Sequence, residues 1–276
     1  MNKLKNFLDG LDQKKILYVS WKSNHELESV FKGNGDIDLF VPLDQKLMFV
    51  DFIKSQKWIE LLNPVAIHPW SSHYYTLGEN LETFHIHVYF KIITGESWLK
   101  EYILPLENWL MENRVLSVDH RIWVLNNYSQ TYLFLIRHLL KGGSISSRLL
   151  YKFNLPEYEK EWKDCSLNIQ PNDINGPIEI RKYINGARTF DKKFQLPKIT
   201  TALLFRFSLF PHLRFNPLLL PLRRIQSFSI RIANKMIFKK SKIFSKTGLI
   251  VAISGVDGSG KTSMLNEICK VLGQFI

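Results

Sequence analysis

Residues 33 to 41 read Gly-Asn-Gly-Asp-Ile-Asp-Leu-Phe-Val, a glycine-rich turn that runs into a short apolar stretch. The stretch 36–41 predicts a strand, and Pro42 follows just beyond it. Because side chains alternate along a strand, Asp36 and Asp38 fall on the same face. Two carboxylates so close together repel, so they either share a proton or hold a divalent cation. The alternative is an ordinary acidic pair that caps the turn before the strand.

The segments on either side of this strand predict a mixed α/β sheet of moderate size. The order is β-α-β-α-β-β-β, which is typical of an α/β domain. The expected elements are a strand at 14–21, a helix at 25–31, the strand at 36–41, an amphipathic helix at 43–56, and strands at 65–69, 73–77 and 83–93.

The Asp-x-Asp strand after a glycine-rich turn, in this element order, resembles the nucleotidyltransferase superfamily. The resemblance implies that Asp36 and Asp38 bind the Mg²⁺ ions that carry a nucleoside triphosphate. Members usually place a Gly-Ser pair near the end of the first strand, whereas residues 20–23 here read Ser-Trp-Lys-Ser. They also supply a third carboxylate from a later strand, where this chain has His85 and His87. Either histidine is a candidate metal ligand, and the alternative is a hydrogen-bonded or solvent-facing sheet histidine.

A second motif lies near the C-terminus. Residues 255 to 262 read Gly-Val-Asp-Gly-Ser-Gly-Lys-Thr, the phosphate-binding P-loop pattern G-x-x-x-x-G-K-[ST]. An apolar run at 249–253 predicts the strand before the loop, and helical spacing predicts a helix over 263–272 after it. Inward-pointing backbone N–H groups and the helix N-terminus attract phosphate. The expected nucleotide-binding residues are Gly255, Asp257, Gly258, Ser259, Gly260, Lys261, Thr262 and Ser263.

The amino-acid sequence of this loop resembles the P-loop of thymidylate kinases and related nucleoside-monophosphate kinases, over about residues 248–273. The resemblance implies ATP and Mg²⁺ as cofactors. It implies that Lys261 stabilises the transferred phosphoryl group, that Thr262 holds Mg²⁺ and that Asp257 contacts the acceptor. Because the chain ends at Ile276, we expect an incomplete unit without kinase activity.

The net charge of +12 is concentrated in one segment. Thirteen Lys and Arg residues and no Asp or Glu lie between Lys192 and Val256, while the rest of the chain holds 24 basic and 25 acidic residues. Phenylalanines interleave with these charges. The favoured interpretation is a connector with solvated charges. Contact with an anionic membrane and binding of single-stranded nucleic acid are alternatives, although no nucleic-acid-binding motif accompanies the segment.

These patterns together predict an α/β protein with four parts. Within the second part, the clearest helix is expected at 128–141, where the pair Gly142-Gly143 stops it. The parts are a nucleotidyltransferase-like α/β domain at 1–103, a helical extension at 104–195, a basic connector at 196–247 and the start of a P-loop kinase domain at 248–276.

The leading hypothesis for function is ATP-dependent phosphorylation of a nucleoside monophosphate or a similar small acceptor. The alternatives are an active metal-dependent nucleotidyltransferase and a non-catalytic, nucleotide-sensing or membrane-peripheral adaptor. No apolar run reaches the length of about 18 residues that a membrane-spanning helix needs, and the first residues are too polar for a signal peptide. Cys165 and Cys269 lie far apart without metal-ligand spacing, so a reducing, cytoplasmic setting is expected.

Overall fold

The computed structural model describes residues 3–63, 68–80, 82–96, 99–144, 148, 151–166, 169, 174–184, 194–238, 243–244, 254–256 and 258–273. An eight-stranded mixed sheet lies at its centre, and a small two-stranded sheet stands beside it. The strands are β1 Val19–Lys22, β2 Asp36–Phe40, β3 Ile59–Leu62, β4 Ser71–Leu77, β5 Thr83–Tyr89, β6 Ile92–Thr94, β7 Tyr102–Leu104, β8 Arg114–Ser117, β9 Ile122–Leu125 and β10 Ile243–Phe244.

Helices pack around this sheet. Three of the longer ones, α1, α3 and α5, decide which faces of the sheet are covered. The helices are α1 Lys3–Gln13, α2 Leu27–Phe31, α3 Lys46–Ser55, α4 Glu107–Glu112, α5 Asn127–Gly142, α6 Tyr151–Cys165, α7 Arg181–Ile184, α8 Ile199–Ser208, α9 Leu220–Ala233 and α10 Lys261–Gly273. Among the described residues, no helix combines the length and the apolar character needed to cross a bilayer.

The order of strands in the main sheet is β10-β3-β4-β5-β2-β1-β9-β8. At its centre, β2 runs antiparallel to β1 and parallel to β5, while β1 runs parallel to β9. The parallel pairing of β2 with β5 brings the two charged strands of the sequence side by side.

The two faces of the central strand are covered by different helices. Ile37 and Leu39 are buried in one apolar cluster with residues of α1 and α3, such as Phe7 and Phe49. Phe40 on the alternate face is buried in a second cluster with residues of α5, α6 and α8. Asp36 and Asp38 share the face of Phe40, because they alternate with the buried apolar residues of the first cluster.

The expected α/β class and mixed sheet are confirmed, and so are the strand at 36–41 and the helices at 43–56 and 128–141. The segment 43–45 is a 3-10 turn that leads into α3. The strand expected at 73–77 lies within β4. In the segment expected as a helix at 25–31, a 3-10 turn at 24–26 precedes the short α2.

Other expectations about elements were wrong. The strand expected at 83–93 is divided after Tyr89, and β6 pairs with β7 in the separate sheet. The strand expected at 14–21 begins only at Val19, because Lys15 has a φ of +56° and turns the chain after α1. In the strand expected at 65–69, residues 65–67 lie outside the described residues, and His68 and Pro69 are not in a strand.

Three kinds of element were missed. Helix α1, which buries Leu4, Leu8 and Leu11 at helical spacing, was not predicted. Strand β3 went unrecognised. The stretch after 104 was expected to be helical, yet β8 and β9 form an antiparallel pair that extends the main sheet. Each of these two strands has only four residues, too few for their pattern to stand out.

The basic connector differs from the expectation of solvated charges. Helix α8 joins the second apolar cluster through the buried Phe205, and Arg206 beside it is also buried. The Arg206 guanidinium donates hydrogen bonds to the Leu140 carbonyl at the end of α5. Part of the segment is therefore packed against α5. The hydrogen bonds to Leu140 supply the acceptors that a buried guanidinium needs.

Candidate metal and phosphate site

The pairing of three strands brings the candidate ligands together. In the register of β2 against β5, Asp36 lies beside His85 and Asp38 beside His87. On the other side of β5, His73 in β4 lies opposite His87. Because side chains of laterally paired residues point to the same face, these polar groups form one patch on the sheet.

Asp36, Asp38 and His87 each offer a ligand atom, and these atoms all lie within 4.8 Å of one another. Asp38 and His87 are buried, while the Asp36 side chain is 45% exposed. The Nδ1 atom of His87 lies 3.1 Å from Asp38 Oδ1, while its buried Nε2 atom has no hydrogen-bond partner in the part of the chain that the structure describes. Two carboxylates and an imidazole are a donor set that suits a small divalent cation. The three residues therefore fit the metal that the resemblance implies.

The two histidines of β5 have different surroundings. His85 Nε2 lies 3.0 Å from His73 Nδ1, and its ring stacks on Tyr75 with centroids 4.1 Å apart. His85 Nδ1 is 4.0 Å from Asp36, at the limit of an ion pair. The cluster thus includes His87 and not His85, a choice that the sequence had left open.

Burial shapes the protonation of this cluster. Burial, with the neighbouring His73, lowers the pKa of His87 well below its usual value. His87 is therefore neutral at pH 7 and keeps a lone pair for a ligand. Burial and the charge of Asp38 raise the pKa of Asp36. A bound cation would relieve the repulsion between the two carboxylates.

Lys22 is part of the site, although in the sequence residues 20–23 stood out only because they lack the Gly-Ser pair. Its Nζ lies 2.9 Å from Asp38 Oδ1 and 3.3 Å from the Tyr89 hydroxyl. Burial alone would lower the pKa of Lys22, but the charge of Asp38 outweighs it and raises the pKa above its ordinary value. Lys22 is therefore charged, and it forms a buried ion pair with Asp38.

A local irregularity places Lys22 there. The antiparallel register of β1 and β2 shifts between Ser20, opposite Leu39, and Lys22, opposite Asp38. The extra residue of this bulge is Trp21, which would otherwise lie opposite Asp38. A hydrogen bond from the Asn24 side chain to the Ser20 carbonyl supports the turn that follows.

A cavity of about 350 Å³ adjoins the cluster, with which it shares His87. Four side chains of its wall are basic, namely those of Lys22, Lys100, Arg137 and Lys141. Arg137 is paired with Glu161. Burial and the charge of Lys22 lower the pKa of Lys100 to about 7, and burial and Arg137 lower that of Lys141 to about 8. Such a concentration of cations suits a polyanion, whose charge would offset their mutual repulsion.

These cavity residues come from separate parts of the chain and were not predicted from the sequence. Arg137 and Lys141 are four residues apart on α5, so they share one side of that helix. Lys100 lies on the loop between β6 and β7, with a φ of +46°. Its Nζ donates to the Tyr89 hydroxyl at 3.0 Å. Only the two basic residues at i and i+4 on a strongly apolar helix were a sequence signal.

The P-loop is described in part. Gly258 and Gly260 have φ values of +83° and +81°, so the loop needs glycine at both positions. Helix α10 begins at Lys261, whose Nζ donates to the carbonyls of Gly255 and Val256, at 2.7 Å in each case. Asp257 and the strand expected at 249–253 lie outside the described residues.

The helix expected over 263–272 begins two residues earlier, at Lys261. Ser259 lies in the turn before α10, and Thr262 and Ser263 are exposed in its first turn. This is the position that a Mg²⁺-binding hydroxyl needs beside a phosphate at a helix N-terminus.

No protein-family model matches this chain, and no curated protein matches it in sequence.

Proposed function

We propose that the N-terminal part of this protein is a metal-dependent nucleotidyltransferase-type site that binds a nucleoside triphosphate. The observation that carries the proposal is the convergence of Asp36, Asp38 and His87 beside a cavity with four basic side chains. A volume of about 350 Å³ is within the usual range for small-ligand pockets, about 300 to 1,000 Å³.

The acidic and the basic residues of the site would bind different parts of the ligand. Asp36 and Asp38 would hold Mg²⁺, with His87 as the third protein ligand. The metal would neutralise phosphate charge and position the phosphate to be attacked. Lys100, Arg137 and Lys141 would bind the remaining phosphate oxygens. Lys22 lies beside Asp38 and also in the wall of the cavity. A bound triphosphate would therefore compete with Asp38 for the ammonium group of Lys22.

A second candidate function belongs to the P-loop. It is ATP-dependent phosphorylation of a nucleoside monophosphate or a similar small acceptor, supported by the positive φ of Gly258 and Gly260 and by Lys261 at the start of α10. In that function Lys261 and Thr262 would bind the phosphates and Mg²⁺, and Asp257 would contact the acceptor. A cytoplasmic location is part of this proposal, since Cys165 and Cys269 are both free.

The two activities can be distinguished by the position of the isotope label in the nucleotide and by variants that each disable one site. The full chain is incubated with Mg²⁺ and nucleoside triphosphates that carry the label on either the α- or the γ-phosphate. In the Lys261→Ala background, transfer of the α-label that Asp36→Asn abolishes supports the N-terminal proposal, since the Asp36 side chain is 45% exposed and its replacement leaves the Lys22–Asp38 ion pair in place. Transfer of the γ-label that Lys261→Ala abolishes and Asp36→Asn does not supports the P-loop function.

Two further outcomes are informative. Nucleotide-dependent thermal stabilisation without transfer of either label favours a nucleotide-sensing adaptor. If the Lys261→Ala protein neither binds nor turns over any nucleoside triphosphate with Mg²⁺ or Mn²⁺, the proposal for the N-terminal site is wrong.

A further inference from the structure

Helix α9 directs an apolar surface away from the rest of the protein. At 100° per residue, Leu222, Ile225, Phe228 and Ile232 fall within an arc of about 120°. Leu222 and Ile225 are each 64% exposed, and Phe228 and Ile232 are also exposed. We call these four side chains the α9 surface.

The orientation of α9 is set by contacts on another part of its circumference. Leu220 is buried against the domain. The Arg224 guanidinium lies 2.9 Å from Oε1 of Glu101, whose side chain is fully buried. A buried carboxylate has a strong requirement for such a partner. The helix is therefore held with its apolar arc outward.

Apolar exposure continues at both ends of the helix. Leu218 precedes the helix and is 86% exposed, while Met236 and Ile237 follow it and are 72% and 71% exposed. Exposed apolar side chains along one side of a helix are the pattern of a helix that lies in a membrane interface.

The charges around this row of apolar side chains indicate which kind of partner the surface would bind. Arg223, Arg231 and Lys235 are exposed beside it, and residues 192–256 contain thirteen basic and no acidic residues. A second copy docked through this surface would place like charges together, which is unfavourable. An anionic bilayer offers both a negative surface and an apolar phase.

We propose that the α9 surface binds the surface of an anionic membrane. Leu222, Ile225, Phe228 and Ile232 enter the boundary between headgroups and acyl chains. The flanking basic side chains bind the anionic headgroups. This inference is independent of the proposed catalysis, because no residue of the α9 surface belongs to either candidate site.

Co-sedimentation of the full chain with vesicles tests the inference. Vesicles that contain phosphatidylserine should bind the protein roughly tenfold more strongly than vesicles of phosphatidylcholine alone, and high salt should reduce this difference. The double variant Leu222→Glu/Ile225→Glu should lose roughly tenfold or more of the binding. The matched control is Leu47→Glu, at a residue 76% exposed on α3, which should bind like the parent.

Three results would overturn the proposal. One is equal binding to the two kinds of vesicle, and another is unchanged binding by the double variant. The third is a dimer in light scattering that the double variant disrupts, which would make the α9 surface an interface between copies. Thermal unfolding of both variants verifies that the fold is intact.

Discussion

The ammonium group of Lys22 lies 2.9 Å from a carboxylate oxygen of Asp38, and both side chains are largely removed from solvent. The pair joins the end of β1 to the strand that carries the candidate metal ligands. Lys22 thus occupies one side of the Asp38 carboxylate. A metal cation bound by Asp38 would share this carboxylate with the ammonium group of Lys22.

The ion pair predicts a non-additive effect on stability. Asp38→Asn leaves the Lys22 charge buried without its partner, so it should reduce the free energy of unfolding by about 3 kcal/mol or more. Lys22→Met/Asp38→Asn should be more stable than Asp38→Asn alone. Urea denaturation of the two single variants and the double variant measures this coupling. Additive effects would show that the pair contributes nothing specific.

The two histidines of β5 provide a matched test of the metal cluster. His87→Ala should weaken Mn²⁺ binding by roughly tenfold or more, because it removes one of three protein ligands. His85→Ala should leave the affinity close to that of the parent, since His85 contacts His73 and Tyr75 instead. Isothermal titration with Mn²⁺ measures both. The reverse order of effects would move the site to the other histidine.

The cavity predicts pH-dependent anion binding. The pKa of Lys100 is lowered to about 7 and that of Lys141 to about 8, so both gain charge as the pH falls through these values. The part of inorganic tripolyphosphate binding that depends on these lysines should therefore strengthen as the pH falls from about 9 to about 6, while protonation of the ligand affects parent and variant alike. Lys100→Met should bind more weakly at the acidic end and lose the part of the dependence near pH 7. A titration curve unchanged by this variant would exclude Lys100 from the site.

The same lysine predicts a linked change in stability. The folded pKa of Lys100 is below its ordinary value of 10.5, so between the two values the unfolded chain binds more protons. Its contribution to the free energy of unfolding therefore rises with pH between about 7 and 10.5. Lys100→Met should be more stable than the parent at pH 6, and the difference should shrink toward pH 10. Thermal unfolding across this range measures the difference, with a substitution of the exposed Lys54, Lys54→Met, as control.

The buried Glu101 predicts how the basic segment is attached. Arg224 lies 2.9 Å and Arg206 3.7 Å from this carboxylate. Glu101→Gln removes the counter-charge of Arg224 and one of two from Arg206, which keeps Glu96 at 3.7 Å. It should therefore destabilise the protein by about 3 kcal/mol and expose residues 199–233 to protease. The exposed Glu112→Gln serves as control. Equal proteolysis of the two variants would mean that Glu101 does not hold the segment.

The P-loop predicts nucleotide binding that is separable from the cavity. Mg·ATP at about 100 times its Kd should stabilise the protein by roughly 2.7 kcal/mol, and Lys261→Ala should reduce the part due to the loop. Tripolyphosphate binding at the N-terminal cavity should survive in this variant. Thermal shifts with both ligands provide the comparison. Loss of both responses together would argue for one shared site.

The strand at 36–41 and its two aspartates were predictable because a period of two is a local property. The helix at 128–141 was predictable because helical spacing is also a local property. The turn of the P-loop was predictable because glycine readily adopts the positive φ values found at Gly258 and Gly260. Short strands such as β8 and β9 were not predictable, because four residues carry little periodic signal and their stability comes from pairing with distant strands.

The sequence alone determined which strand carries the carboxylates and which face they share, since both depend on neighbours along the chain. Tertiary structure decided the rest of the site. The choice of His87 over His85 depends on the register of β2 against β5 and on the neighbours in β4. The place of Lys22 depends on one extra residue in the pairing of β1 with β2. The basic cavity joins a loop, a strand and α5, which only long-range packing brings together.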